Sequence, residues 1–247
     1  MKTLCYLSGL FFLPSTAWAL VPPDYKEPPN DIYAEVEAGL QLNSGNTSTK
    51  NFNGRTFVTY DTTKAKQEFT FKAYYAAEGN ASTSEKFDVY YQSNYKINES
   101  YLYGRAEVTW DKFGSYTQIT TISTGYGFDI IKNNVTNLSL EVGPGYRYDL
   151  AQSSDSIPNP TANSDVILRS AAKYSVKLQE YTSFTADLTT EVGQDNRTIA
   201  VDLSYKNTFI QDWAFKIGMN MKYTEVVPED TKQLDTITTF NLLYTFQ

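Results

Sequence analysis

IYAEVEAGLQLN, residues 32–43, alternates two kinds of side chain. Ile32, Ala34, Val36, Ala38, Leu40 and Leu42 share one face, and Tyr33, Glu35, Glu37, Gln41 and Asn43 share the other. A period of two is the signature of a β-strand with one apolar and one polar side. The pattern then recurs along most of the chain. Phe52, Gly54, Thr56, Val58 and Tyr60 oppose Asn51, Asn53 and Arg55; Phe69, Phe71, Ala73 and Tyr75 oppose Glu68, Thr70 and Lys72. Phe87, Val89, Tyr91 and Tyr95 oppose Asp88, Gln92 and Asn94, and Leu102, Ala106, Val108 and Trp110 oppose Arg105, Glu107 and Thr109. Further segments set Glu141 and Arg147, Arg169 and Lys173, Asp187 and Glu191, Asp202, and Lys216 with Lys222 against apolar partners. The last segment closes on Phe240, Leu242, Tyr244 and Phe246.

About twelve segments of roughly 9 to 14 residues result, long enough to cross a bilayer at a tilt. Soluble strands average nearer 5 or 6 residues. An even number of antiparallel strands with one apolar face predicts an all-β fold, a transmembrane up-and-down β-barrel. A secreted β-sandwich is the competing fold, and strand length argues against it.

The rest of the chain fits export to the outer membrane of a Gram-negative cell. Lys2, the apolar run Leu4–Leu13 and Ala17-Trp18-Ala19 read as a cleavable signal peptide over residues 1–19. Residues 20–31, rich in proline, read as a periplasmic lead-in, and the barrel is expected over 32–247. Cys5, the single cysteine, lies inside the leader, so the mature chain has no disulfide to form.

The chain has no histidine, which removes the commonest general base and zinc ligand. No enzyme activity, metal or cofactor is expected. The formal net charge of -7 and the lack of a basic stripe exclude nucleic acid as a partner.

With the N-terminus in the periplasm, the outer loops are SGNTS (44–48), AEGNASTSE (77–85), FGSYTQ (113–118), a long stretch over 150–164, GQDNR (193–197) and EVVPEDTKQ (225–233). The inner turns are DTTKAK (61–66), INES (97–100), KNNVTN (132–137), QEYT (179–182) and KNTFIQD (206–212). Tyr60, Phe69, Tyr95, Phe128, Phe184, Tyr205, Trp213, Tyr244 and Phe246 fall at inner ends, and Trp110, Tyr116, Tyr146 and Tyr223 at outer ends. Two aromatic girdles are expected of a membrane barrel.

The terminal Leu242-Leu243-Tyr244-Thr245-Phe246 resembles the strand that directs outer-membrane proteins to the barrel-assembly machinery, here followed by Gln247. Lipid and that machinery are therefore the expected partners. More of the chain is similar to the YdiY-like (DUF481) family of salt-stress-induced outer-membrane proteins. The residues that carry the resemblance are Gly39 with Ser44-Gly45-Asn46-Thr47, Gly104-Arg105, Gly125-Tyr126-Gly127, Glu141-Val142-Gly143-Pro144-Gly145-Tyr146-Arg147-Tyr148, and Asp235-Thr236 with the closing strand. The resemblance implies a barrel and a link to salt or osmotic conditions, and it implies no catalytic residues.

Several motifs have plain readings. SGNT is turn chemistry. Pro144 between Gly143 and Gly145 predicts a bulge or bend, because proline cannot donate to a ladder. Glu35 and Glu37, about 7 Å apart on one strand face, read as partners for facing cations and not as a glycosidase pair. The acidic stretch 225–230 lacks the spacing of a calcium loop.

The expected lumen lining is Glu35, Glu37, Arg55, Glu68, Lys72, Asp88, Arg105, Glu107, Glu141, Arg147, Arg169, Lys173, Asp187, Glu191, Asp202 and Lys216. Two functions stay open: a narrow channel or pore for small solutes or ions, and a structural or stress-responsive envelope barrel with a closed, ion-paired lumen.

Overall fold

The computed structural model describes residues 32–43, 49–79, 81–153, 162–227 and 232–246. The expected leader (1–19) and lead-in (20–31), the SGNTS turn, the centre of the longest loop, the tip of the acidic loop and Gln247 lie outside these residues.

Twelve strands follow one another: β1 (Ile32–Asn43), β2 (Thr49–Asp61), β3 (Ala65–Glu78), β4 (Ala81–Ile97), β5 (Ser100–Asp111), β6 (Tyr116–Lys132), β7 (Thr136–Ala151), β8 (Ala162–Gln179), β9 (Thr182–Val192), β10 (Arg197–Ile210), β11 (Trp213–Thr224) and β12 (Leu234–Phe246). Each pairs antiparallel with its neighbour in sequence, and β12 returns to β1 to close the barrel. Closure leaves no sheet edge unpaired, the condition for backbone to sit in hydrocarbon.

The alternation now has a spatial meaning. Ile32, Val36, Leu40, Phe52, Leu102, Ile122, Val166, Leu188, Phe215, Phe240 and Leu242 are exposed on the outer wall. Glu35, Glu37, Asp88, Gln92, Glu141, Arg147 and Arg169 are buried inside. Buried apolar side chains are few: Ala77, Tyr101, Tyr103, Ile167, Ala171, Ala214 and Leu243. This inversion suits a molecule whose outer solvent is lipid.

Three expectations change in detail. Strands run from 11 residues (β9) to 18 (β8), longer than the sequence suggested. The alternation carries pairing into stretches read as loops. The expected nine-residue loop 77–85 contracts, since β3 runs to Glu78 and β4 begins at Ala81, with Gly79 at φ +60°, and the expected turn 206–212 shrinks to 211–212.

No bulge forms at Pro144: β7 keeps its register with β8 through Gly143↔Arg169, Pro144↔Leu168 and Gly145↔Ile167. The register with β6 is the same on both sides of the proline, at Ser123↔Gly145 and Tyr126↔Val142. The glycines there serve close approach instead. A Cβ on Gly125 would stand 2.2 Å from the Val142 carbonyl oxygen, and one on Gly143 would stand 2.0 Å from that of Thr124.

Aromatic side chains do sit at the strand ends, including Tyr60, Tyr95, Phe128, Trp213 and Phe246 at one end and Trp110, Tyr146 and Tyr223 at the other. They also stud the middle of the wall, as at Phe71, Tyr91 and Phe240, so the two girdles are not cleanly separated.

Candidate functional site

The lumen is the site, and strand parity positions it: each inward residue is two from the next along its strand. The lumen has a turn end, which bears the short turns and the C-terminal strand end, and a loop end opposite it.

Nearest the turn end, β1 supplies Glu35 and Glu37. Glu35 accepts from Tyr33 Oη (2.6 Å), Lys206 Nζ (3.0 Å) and Arg55 Nη1 (3.3 Å). Glu37 accepts from Lys216 Nζ (2.7 Å), Asn241 Nδ2 (3.0 Å) and Arg55 Nη1. The two acids therefore tie β1 to β2, β10, β11 and β12. Lys66 pairs with Glu68 at 2.7 Å on β3.

Across the lumen, Glu141 is wholly buried between Arg169 Nη1 (2.8 Å) and Lys173 Nζ (2.8 Å), and also accepts from Gln92 Nε2 (2.8 Å) and Tyr101 Oη (3.0 Å). Towards the loop end, Arg147 bonds Asp149 (2.8 Å) and Thr198 and stands 3.6 Å from Glu191. Asp88 accepts from Thr109 Oγ1 at 2.7 Å, with Lys86 at 4.0 Å. A buried carboxylate needs such partners, because desolvating it alone is costly.

The charges do not fill the barrel. A cavity of about 560 Å³ runs from Tyr33, Lys66 and Ser183 near the turn end to Tyr74, Tyr90, Arg105 and Asp202. A smaller one, about 80 Å³, lies among Asp88, Glu107, Thr109, Glu191 and Lys222 nearer the loop end. Six residues line both: Lys72, Tyr74, Tyr90, Arg105, Asp202 and Asn220. They form a neck. Lys72 Nζ lies 5.3 Å and the Arg105 guanidinium 5.2 Å from the Tyr90 ring centre. Lys72 Nζ reaches to 3.6 Å from Asp202, which also accepts from Asn220 Nδ2 (2.9 Å), and Arg105 pairs with Glu107 (2.8 Å).

The expected lining residues thus divide into groups. Glu35, Glu37, Arg55, Glu68, Lys173, Asp187 and Lys216 line the larger cavity. Lys72, Arg105 and Asp202 stand at the neck, and Asp88, Glu107 and Glu191 line the smaller cavity. Glu141, Arg147 and Arg169 face inward but line neither cavity; they belong to a packed wall on β5–β8. There the rings of Tyr101 and Tyr103 lie over Gly127 and Gly125, and the Arg169 guanidinium is 5.6 Å from the Tyr103 ring centre.

Sequence reasoning passed over Lys66, Lys86, Lys206, Tyr74, Tyr90, Tyr101 and Tyr103. Parity would have found all seven: Tyr90, for instance, stands between Asp88 and Gln92 on the inward side of β4. Lys66 and Lys206 were hidden by being assigned to turns.

Among the described residues, no helix is long and apolar enough to span a membrane, and no group of acids is placed to hold a metal ion.

A closed antiparallel barrel with an apolar outer wall and an ion-paired interior defines a transmembrane β-barrel of the outer-membrane class. The chain belongs to the protein family of unknown function DUF481, whose model matches residues 36–246. It is 24% identical over 220 residues to the uncharacterized protein YdiY of Escherichia coli (strain K12), covering 87% of this chain and 84% of that protein. In fold it is similar to the COG4313 outer membrane channel from Pseudomonas putida F1, with TM-score 0.50 and 11% identity over 91% of this chain and 99% of that one. The NanC porin structure also matches, with TM-score 0.49 and 12% identity over 87% of this chain and 99% of that one. At these identities the likeness to solved structures is one of fold.

Proposed function

We propose that the protein is a narrow outer-membrane channel for small solutes, with its termini in the periplasm. The observation that carries this reading is the pair of lumenal cavities that together run most of the barrel's length and meet at the neck of Lys72, Tyr74, Tyr90, Arg105, Asp202 and Asn220. Twelve strands lie between side-chain-filled eight-stranded barrels and open porins of sixteen or more. Charges of both signs at the neck favour weak ion selectivity, since a strongly selective pore presents one sign.

Planar-bilayer recording of the refolded protein tests the reading: small, weakly selective unitary steps are expected. Large, porin-like steps would overturn the narrow bore. Silence across many insertions would favour the closed envelope barrel, the second reading, for which the Tyr90 stack and the Lys72–Asp202 pair speak. The salt or osmotic role implied by the family resemblance belongs to the same proposal. It calls for a growth defect of a deletion strain under high salt, relieved by the intact gene.

A further inference from the structure

Among the described residues, each carboxylate that lines the larger cavity has a cation within 4 Å, except one. Asp187 on β9 has no salt-bridge partner among the described residues. It lies directly opposite Lys173 in the β8–β9 ladder, yet that ammonium is drawn to Glu141 at 2.8 Å. Its other cross-strand partner is Asp202, on β10. Two carboxylates directly opposite on neighbouring strands repel. Both face the larger cavity, and the Asp202 side chain is 45% exposed. The nearest cation to Asp202 is Lys72, extended across from β3 and held at 3.6 Å, looser than the 2.7 to 3.0 Å pairs made by Lys66, Lys173, Lys206 and Lys216. Asn220 donates to Asp202, and the Tyr90 ring stands beside Lys72.

We propose that this place, on the larger-cavity side of the neck, is a binding site for a small zwitterion carrying an ammonium and a carboxylate on the same carbon. The proposal rests on the channel reading above and names its solute class. The ammonium sits between Asp187 and Asp202 and relieves their repulsion. The carboxylate takes the Lys72 ammonium, which loses little by leaving a long ion pair.

The approach from the turn end supports the same class. There Lys66, Lys206 and Lys216 and Arg55 stand over glutamates that are more buried than they are, so cationic groups form much of the wetted surface. A simple cation is opposed by that surface, and a simple anion meets the aspartate pair. A neutral sugar compensates neither. A few convergent polar groups in a cavity of this size suffice for discrimination.

The test uses liposome swelling with the full-length refolded protein, comparing glutamine with arabinose, together with calorimetric titration of glutamine into the detergent-solubilised barrel. Wild type should swell several-fold faster in glutamine. Asp187→Asn should abolish that preference and the calorimetric signal with heat-modifiable gel migration unchanged; Lys72→Met should do the same to the preference. Equal rates for the two solutes, or an unaltered preference in Asp187→Asn, would overturn the site even though the channel stands. Binding that Asp187→Asn removes, with no swelling in either solute, would keep the site and overturn the channel. Neither binding nor swelling would overturn both.

Discussion

Leu188 and Thr189 are neighbours in sequence and opposites in environment. Leu188 is exposed on the outer wall, and Thr189 lines the smaller inner cavity. Leu188→Arg should lower unfolding free energy by about 2–4 kcal/mol near the bilayer midplane. Thr189→Arg should cost less, because its charge enters a polar lumen. Denaturant titration in lipid vesicles reads both, and equal costs would mean the faces are exchanged. The glycines offer a second contrast. Gly125→Ala forces a methyl group onto the Val142 carbonyl and should cost about 1–3 kcal/mol or prevent refolding. Gly104→Ala meets nothing within 4 Å and should be neutral in the same titration. Glu141→Gln removes the charge of a fully buried acid and leaves Arg169 uncompensated; breaking such a pair typically costs about 3–5 kcal/mol, read in the same titration. Arg169, which lines neither cavity, has a structural role in the packed wall.

At the scale of the strand, parity made nearly everything legible. Once Ile32 was placed outward, Glu35 and Glu37 had to face in, and the same count along β8 or β11 orients Arg169 or Lys216. Strand ends were less legible, because polar residues such as Ser84 and Lys206 suit both turns and inward strand positions. Which acid meets which cation was not legible at all: Lys173 opposes Asp187 in the ladder but bonds Glu141, a choice made by side-chain reach across β7 and β8. The closing seam is the weakest junction. β1 and β12 share five residue pairs, Ala34↔Phe246 to Ala38↔Leu242, whereas each other junction runs over eleven or more. Beyond it, side chains take over: Asn53 donates to Asn241, Asn241 donates to Glu37, and a Cβ on Gly39 would collide with both asparagines. Glu37→Gln should therefore open the barrel first at this seam. Its folded form should lose heat-modifiable gel migration at a lower temperature than wild type, and more so than Glu68→Gln, whose partner Lys66 lies on the same strand.

For the whole molecule, the lumen is asymmetric. On β5–β8, glycines, tyrosine rings and the Glu141 cluster pack against one another, and the larger cavity is lined mostly by β1–β3 and β9–β12. The open space is divided at the neck, where Tyr90 lies beside Lys72 and Arg105. No sequence pattern announces a neck, because it depends on residues from β3, β4, β5, β10 and β11 meeting at one height. The most direct test of a divided lumen is the single-channel conductance of Tyr90→Ala beside wild type. Tyr90→Ala should conduct several-fold better than a small wild-type step, with unchanged heat-modifiable migration. A wild-type conductance already as large as the variant's, or a variant no different from a small wild-type step, would contradict the neck and with it the account of two chambers.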